Sequence, residues 1–345
     1  MIQKIIINKS AFLKDALIKL DQNPLMQTLF VEDNTKIIGT ITDGDIRRGL
    51  INGLNNTNPI SDYMNSSFTF LQKGNYDQKK IEVIKKNKLE FVPVLNQDGS
   101  LFKIIDFTRI KTILPIDAVI MAGGIGSRLM PLTKNTPKPM LKISNKPIIE
   151  YNIDLLKSYG ISNLTLSVKY LKEVIKDYFK DGNAIQMNIS YVTEDNPLGT
   201  IGAVKQIKGF NNDYILVMNS DLLTNIDLEA MFAELTKDDA DMIVATTDYQ
   251  VQIPYGIIES KGNRITSLKE KPTYTYYSNA GIYIFKKELI NLIPDNSYFN
   301  ATDFIEKLID SSKTVLHYSI KKYWLDIGKH VDFDKAQKDV HSITF

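Results

Sequence analysis

Met121-Ala-Gly-Gly-Ile-Gly-Ser-Arg-Leu-Met-Pro-Leu-Thr-Lys-Asn-Thr-Pro-Lys-Pro-Met140 is the stretch that decides how this chain is read. It follows the apolar run Ala118–Ala122, which has the composition of a buried strand. Gly123, Gly124 and Gly126 let successive backbone N–H groups come close to an anion and form a concave nest for phosphate oxygens. Arg128 and Lys138 add the positive charge that a triphosphate needs. A glycine-rich turn after a strand is by itself equally well read as a tight turn. Two familiar phosphate-binding patterns do not fit. No Gly-Lys-Ser/Thr ends the loop, and Leu129 stands where a dinucleotide fingerprint needs its third glycine.

Downstream, strands and helices alternate. A helix from about Pro147 stops at Gly160, followed by strand 164–168, helix 171–179, strand 187–192, helix 202–208 and strand 214–218, which ends at Asn219-Ser220-Asp221. Near-continuous apolar strands alternating with helices predict an α/β, Rossmann-like mixed sheet, mainly parallel and covered on both faces. Ligands of such sheets bind beyond the carboxyl ends of the strands, where the polar motifs gather here.

Upstream, residues 1–112 read as a small α+β unit used twice. A helical face Leu13/Ala16/Leu17/Leu20 precedes strand-like 28–31, an Asn34-Thr35 turn, strand 37–42 and a short helix. The same order returns with a helix at 77–88, strand 91–95, the Asp98-Gly99 turn, strand 101–105 and a short helical piece. Aligning the hairpins sets Thr42 against Asp106, 64 residues apart. The expected division is a paired domain over 1–112, a linker at 113–116 marked by Pro115, and a catalytic domain over 117–345.

Among 345 residues, 43% are hydrophobic, so the chain can build two cores. The net charge of +2 gives no electrostatic footprint for nucleic acid. With no cysteine, disulfides, thiolate metal sites and thiol nucleophiles are excluded. The opening run Ile5-Ile6-Ile7 is too short for a signal-peptide core, and no run is long enough to span a membrane, so a cytoplasmic protein is expected. His317, His330 and His341 show no metal-ligand spacing and read as ordinary surface or core residues.

The 121–140 run resembles the signature loop of the sugar-1-phosphate nucleotidyltransferases, and the resemblance continues in order from about 117 to 335. It implies that Ala122, Gly123, Gly124, Gly126 and Ser127 hold the nucleotide. Pro197-Leu-Gly-Thr-Ile-Gly-Ala203 is similar to the family's nucleotide loop, with Gly199 and Thr200, and Asn219-Ser220-Asp221 to its metal-binding strand end. Gly256 after Tyr255, Glu270-Lys271-Pro272 and Asn279-Ala280-Gly281 resemble its sugar-phosphate site. Tyr323-Trp-Leu-Asp-Ile-Gly328 resembles the element that supplies a second metal carboxylate. The implied reaction is in-line attack of a sugar-1-phosphate oxygen on the α-phosphorus of an NTP. It needs charge neutralisation and positioning rather than a covalent nucleophile. Mg2+ takes oxygen ligands, typically one or two carboxylates with substrate phosphates. The resemblance assigns that role to Asp221 and Asp326, beside Arg128 and Lys138, with Ser220 next to the nucleotide. An Asp at a strand end is also a common turn or cap residue. Lys271 and Glu270 read as contacts to the phosphate and the sugar, or as a solvated charge pair. Glu194 reads as a contact to the base or as part of a polar loop, and Trp324 as packing that orients Asp326.

In the first half, Gly39-Thr-Ile-Thr-Asp-Gly-Asp45 resembles the ribose-binding motif of CBS (cystathionine-β-synthase-type) modules, which places a regulatory purine nucleotide at Thr42 and Asp45. Lys103, Asp106 and Arg109 replace the motif in the second copy, and a helix-capping role for Thr42 and Asp45 stands beside the nucleotide role. A CBS pair followed by a nucleotidyltransferase looks like the fused enzymes of nonulosonic-acid (legionaminic-type) pathways, which implies GTP and glucosamine-1-phosphate as substrates. Mannose-1-phosphate guanylyl transfer, glucose-1-phosphate thymidylyl or uridylyl transfer, and a catalytically silent nucleotide-sensing subunit are the alternatives. For guanine, Glu194 and the carbonyls near Leu198 are the nearest acceptors, and Glu270 would meet the sugar's ammonium. A homo-oligomer built through the Leu13/Leu17/Leu20 face is expected, with neither nucleic acid nor membrane as partner.

Overall fold

The apolar run Ile116–Ala122 forms the central strand of a seven-stranded sheet in the computed structural model, which describes residues 4–24, 26–74, 76–343 and 345. Strand order across this sheet is 188–193, 163–168, 116–122, 214–219, 273–286, 242–252, 315–319. The first four strands run parallel, 273–286 is antiparallel to both its neighbours, and 242–252 pairs parallel with 315–319. Side chains alternate across the sheet. Ile116, Ala118 and Ile120 enter one apolar layer with Leu216 and Met218, while Val119 enters the other with Ile215 and Val217. Helices Ile148–Ser158, Lys172–Phe179 and Leu228–Lys237 contribute to the first layer, and Ala301–Asp310 covers the second through Ala301, Phe304 and Leu308.

The order of strands sets the place of the site. From 116–122 the chain winds outward through 163–168 to 188–193, then returns to the opposite side of 116–122 with 214–219. The reversal opens a crevice at the carboxyl ends of 116–122 and 214–219. Those ends run into the glycine loop and into Asp221, with Asn219 registered against Met121. A helix was expected at 202–208. The structure has a 3-10 turn, Gly202–Gln206, whose Gly202 packs so closely on the backbone of Ser297 that a Cβ would lie 2.8 Å from Ser297 O.

The chain divides into two compact units, Met1–Ile113 and Leu114–Phe345. The first unit holds the duplication. In each copy a short strand pairs parallel with a second, which pairs antiparallel with a third: 6–8, 28–33, 36–42, and then 71–72, 91–95, 101–106. Each hairpin carries a bulge at the matching place, Val31/Glu32 and Val94/Leu95. Three expectations are corrected here. The 113–116 stretch is not a linker: Ile113 lies in the core of the first unit, while Leu114 and Ile116 lie in that of the second. No helix follows the second hairpin, because Asp106 Oδ1 accepts from the backbone N–H and hydroxyl of Thr108 and closes a turn. The face set aside for self-association is spent internally, since Leu13 and Leu20 are buried in their own unit and only Leu17 is exposed.

Thr42 and Asp45 form a capping box at the start of helix Asp43–Ile51. Thr42 donates its N–H (2.8 Å) and its hydroxyl (2.7 Å) to Asp45 Oδ2, Asp45 N–H returns a 3.3 Å bond to Thr42 Oγ1, and Arg48 holds Asp45 Oδ1 at 2.6 Å. The capping role weighed from the sequence is thus present in full.

Candidate active site

Gly126 begins the short turn Ser127–Leu129 at φ 67°, in the left-handed region where glycine is favoured. A Cβ there would also lie 2.8 Å from Lys138 Cβ and 3.0 Å from Thr133 Cγ2, so the loop folds closely over the lysine. Thr133 Oγ1 donates to Gly126 O (2.9 Å), and Tyr170 donates to the carbonyls of Thr133 (3.1 Å) and Lys134 (3.0 Å). A Cβ on Gly124 would meet nothing within 4 Å, and Ser127 and Arg128 are exposed, so this edge of the loop is open to a ligand. Ala122 is fully buried and offers only its backbone.

Beneath the loop lies the charged centre. Lys138, buried on the short turn Lys138–Met140, pairs with Asp221 Oδ2 and stands 4.0 Å from Asp326 Oδ1. Asp326 arrives on Trp324–Asp326, which pairs antiparallel with Leu222–Thr224 so that Leu222 faces Asp326 across the ladder. Ile327 N–H donates to Asp221 O at 3.0 Å, which ties the two aspartates through their backbones. Leu129, Leu141, Leu223 and Ile327 share one buried apolar cluster. Each is within three residues of Arg128, Lys138, Asp221 or Asp326, so one patch of packing sets the positions of all four polar groups.

Among the described buried side chains, Asp221 Oδ1 and Asp326 Oδ1 are the oxygens with no hydrogen-bond partner. Burial, and next the neighbouring Asp221 carboxylate, push the Asp326 carboxyl above its ordinary range, against the pull of Lys138 and Arg128. Two orphaned carboxylate oxygens side by side suit a hard cation with oxygen ligands, so the residues present fit Mg2+. Among the described residues no three His, Cys, Asp or Glu form a ready-made metal cage, so further ligands would be phosphate oxygens and water.

Beside Asp326 opens a cavity of about 270 Å3 lined by Thr200, Asn219, Asn279, Asn300, Thr302 and Trp324, among others. Trp324 Nε1 donates to Ala280 O (3.0 Å), which fixes the strand that carries Asp326. Asn279 Oδ1 accepts from Gly281 N–H (2.9 Å) and Tyr283 (3.0 Å), so its amide NH2 is the group it can offer a ligand. Asn300 and Thr302 reach this wall from the start of helix Ala301–Asp310. Sequence reading missed both, because they lie outside every motif.

Residues 117–343 match the nucleotidyl transferase family. The chain belongs to this family. It is 32% identical over 246 residues to a UTP–glucose-1-phosphate uridylyltransferase of Synechocystis, covering 65% of this chain and 63% of that protein. It is also 32% identical over 229 residues to the D-glycero-α-D-manno-heptose 1-phosphate guanylyltransferase of Aneurinibacillus thermoaerophilus, covering 65% of this chain and 98% of the relative. The chain therefore spans less than two thirds of the cyanobacterial relative's length and almost all of the second's. Among solved structures, HddC from Yersinia pseudotuberculosis complexed with GMP-PN superposes with a TM-score of 0.50 at 27% identity, over 65% of this chain and 99% of that one.

Within this family member the other expected site residues fall into two groups. Gly199 (φ 75°) and Thr200 line the join to the 297–301 segment: a Cβ on Gly199 would lie 2.5 Å from Phe299 O, and Thr200 Oγ1 accepts from Ala301 N–H at 2.8 Å. The Thr200 hydroxyl thus caps a helix. Glu194 is buried. Oε1 accepts from Ser167 (2.6 Å) and Oε2 from Leu198 N–H (3.1 Å), while Leu198 O accepts from Phe299 N–H (3.0 Å). Each Glu194 oxygen thus accepts one hydrogen bond and keeps a second lone pair, and Oε1 lies 2.9 Å from where a Gly123 Cβ would stand, so the carboxylate sits directly against the glycine loop. Ser220 is buried beside Asp221. Gly256 and Glu270 approach each other, with Glu270 Oε2 3.0 Å from an ideal Gly256 Cβ, and Lys271 turns the chain at φ 44°. These three are exposed and lie outside the cavity lining, which of the expected sugar-phosphate residues includes Asn279 alone.

Proposed function

We propose that this chain transfers a nucleoside monophosphate from GTP to glucosamine-1-phosphate, forming a nucleotide sugar and pyrophosphate. The observation that carries the reaction class is the Lys138–Asp221–Asp326 cluster at the sheet's switch point, below an open glycine loop. A phosphate oxygen of the sugar phosphate forms a bond to the α-phosphorus as the bond to the β-phosphate bridging oxygen breaks, and pyrophosphate leaves. Backbone N–H groups of 123–127 and Arg128 hold the triphosphate, and Lys138 neutralises charge at the α-phosphate. Asp221 and Asp326 would hold Mg2+, which when bound supplies further neutralisation of the phosphates. Asn279 and the 300–302 turn would orient the sugar.

The guanine choice is supported by the guanylyltransferase relative and by the GMP-PN complex of HddC. The sugar choice rests on the order of the two units, with the first read as a CBS-type pair that assembles the chain and senses a purine nucleotide in the cytoplasm. A nucleotide ribose at Thr42 and Asp45 would have to displace the Arg48 contact. Self-association through the first unit would use Leu17, Ile18, Leu50 and Ile51, which are exposed. A second reading, favoured by the nearly full cover of the heptose enzyme, takes a manno-heptose 1-phosphate as acceptor. Pyrophosphate release measured with four NTPs against glucosamine-, mannose-, glucose- and heptose-1-phosphates decides between them. Higher kcat/KM with UTP or dTTP for every acceptor would overturn the guanylyl assignment, and no release with any pair would overturn the reaction.

A further inference from the structure

His330 opens the last helix, His330–Asp339, and its Nε2 lies 3.0 Å from Met130 O. A carbonyl only accepts, so Nε2 carries the hydrogen. The Nε2–H tautomer and the imidazolium both donate from this atom. Met130 directly follows the single turn Ser127–Leu129, which carries Arg128. The near end of that turn is held by Thr133 on Gly126 O, at 2.9 Å. The contact from His330 holds the far end.

The segment that delivers His330 is short and already committed to the site. Trp324–His330 contains Asp326, then Ile327 in the same buried cluster as Leu129, then Gly328, where an ideal Cβ would stand 3.7 Å from both Arg128 Nη1 and Asp326 Oδ1. The helix behind it is anchored away from the centre, with Gln337 donating to Lys142 O (2.8 Å) and accepting from Ser144 N–H (2.8 Å). His330 itself is exposed, so packing does not account for its place.

We propose that His330 is a positioning residue for Arg128. By clamping Met130 O it fixes the turn, with the guanidinium lying beside Gly328 and close to Asp326, so that the arginine is set for a triphosphate before one arrives. This rests on the nucleotidyl-transfer reading for the identity of the ligand. Loss of the clamp leaves Arg128 chemically intact but free to sample other orientations, and the nucleotide then bears the ordering cost.

The test is calorimetric binding of Mg-GTP to the full chain, with steady-state kinetics alongside. His330→Ala is expected to weaken GTP binding and raise the KM for GTP by about tenfold, with the KM for the sugar phosphate unchanged. His330→Gln, whose amide can donate to the same carbonyl, should recover most of the loss. In an Arg128→Ala background, His330→Ala should add less than about twofold, because a residue acting through another has no further effect once that partner is gone. Wild-type GTP affinity in His330→Ala, or an undiminished effect on top of Arg128→Ala, would overturn the proposal. Binding needs no turnover, so the two readings fail separately. GTP binding that depends on His330 without nucleotide-sugar formation would remove the reaction and keep the clamp. Normal turnover with binding indifferent to His330 would do the reverse.

Discussion

Replacing Lys138 by methionine keeps a chain of similar length and removes the single ammonium that stands between two aspartates. In the metal-free protein this leaves Asp221 and Asp326 without their shared cation, and Asp221 Oδ2 joins the two carboxylate oxygens that already lack a partner. Removing one partner of a fully buried ion pair costs about 3–5 kcal/mol. The Lys138 side chain is 10% exposed, but Asp221 is 21% and Asp326 44% exposed, so solvent screening reduces the cost to about 1–3 kcal/mol. For a unit of this size, about 2–4 °C of melting temperature per kcal/mol gives a drop of about 2–12 °C. The assay is differential scanning calorimetry in EDTA and again across a Mg2+ titration. In the variant the metal meets no competing ammonium, so Mg2+ should raise its melting temperature more than it raises that of wild type. Turnover should fall as well, since the α-phosphate loses its cation. An unchanged melting temperature in EDTA, or the same Mg2+ response in both proteins, would refute the account of the charged centre.

Three further outcomes are expected. Asp221→Asn should lower turnover by about 10²–10³-fold with the far-ultraviolet circular dichroism spectrum unchanged, and a near-normal Mg2+-dependent rate would count against its role as a ligand. Asp326→Asn should raise the melting temperature in EDTA at pH 7 while abolishing activity. A carboxyl whose folded pKa is raised stabilises the fold below the ordinary value of 3.8 and loses that contribution as pH rises through the folded value, so the amide's advantage should vanish below about pH 3.8. Gly199→Ala, at φ 75° and 2.5 Å from Phe299 O, should cost at least about 1–3 kcal/mol in urea unfolding, whereas Gly124→Ala, with open space around its Cβ position, should cost under about 1 kcal/mol.

Local sequence settled a good deal of this. The alternation of apolar strands with amphipathic helices fixed a mainly parallel sheet, because each period records which face a residue must bury. The order of glycine, arginine, lysine and aspartate motifs marked the strand ends where a phosphate site could lie. The 64-residue repeat in the first unit was legible for the same reason, with two hairpins of like pattern. Local pattern does not carry pairing between distant segments. Asp326 reaches Asp221 only because Trp324–Asp326 pairs with Leu222–Thr224, and those segments are about a hundred residues apart. Glu194 reads from the sequence as a base contact or part of a polar loop, and only the folded chain brings Ser167 against one oxygen and Leu198 N–H against the other. Leu13 and Leu20 read as a sticky face, and became core once their own sheet covered them. His330, isolated in sequence and outside any ligand spacing, gained a partner 200 residues away. Sequence by itself determined which elements form and which residue types cluster at strand ends, since propensity and periodicity are local. Tertiary structure alone decided which polar atoms are already satisfied and which are left for a ligand, because hydrogen bonds are spent between segments that only the folded chain brings together.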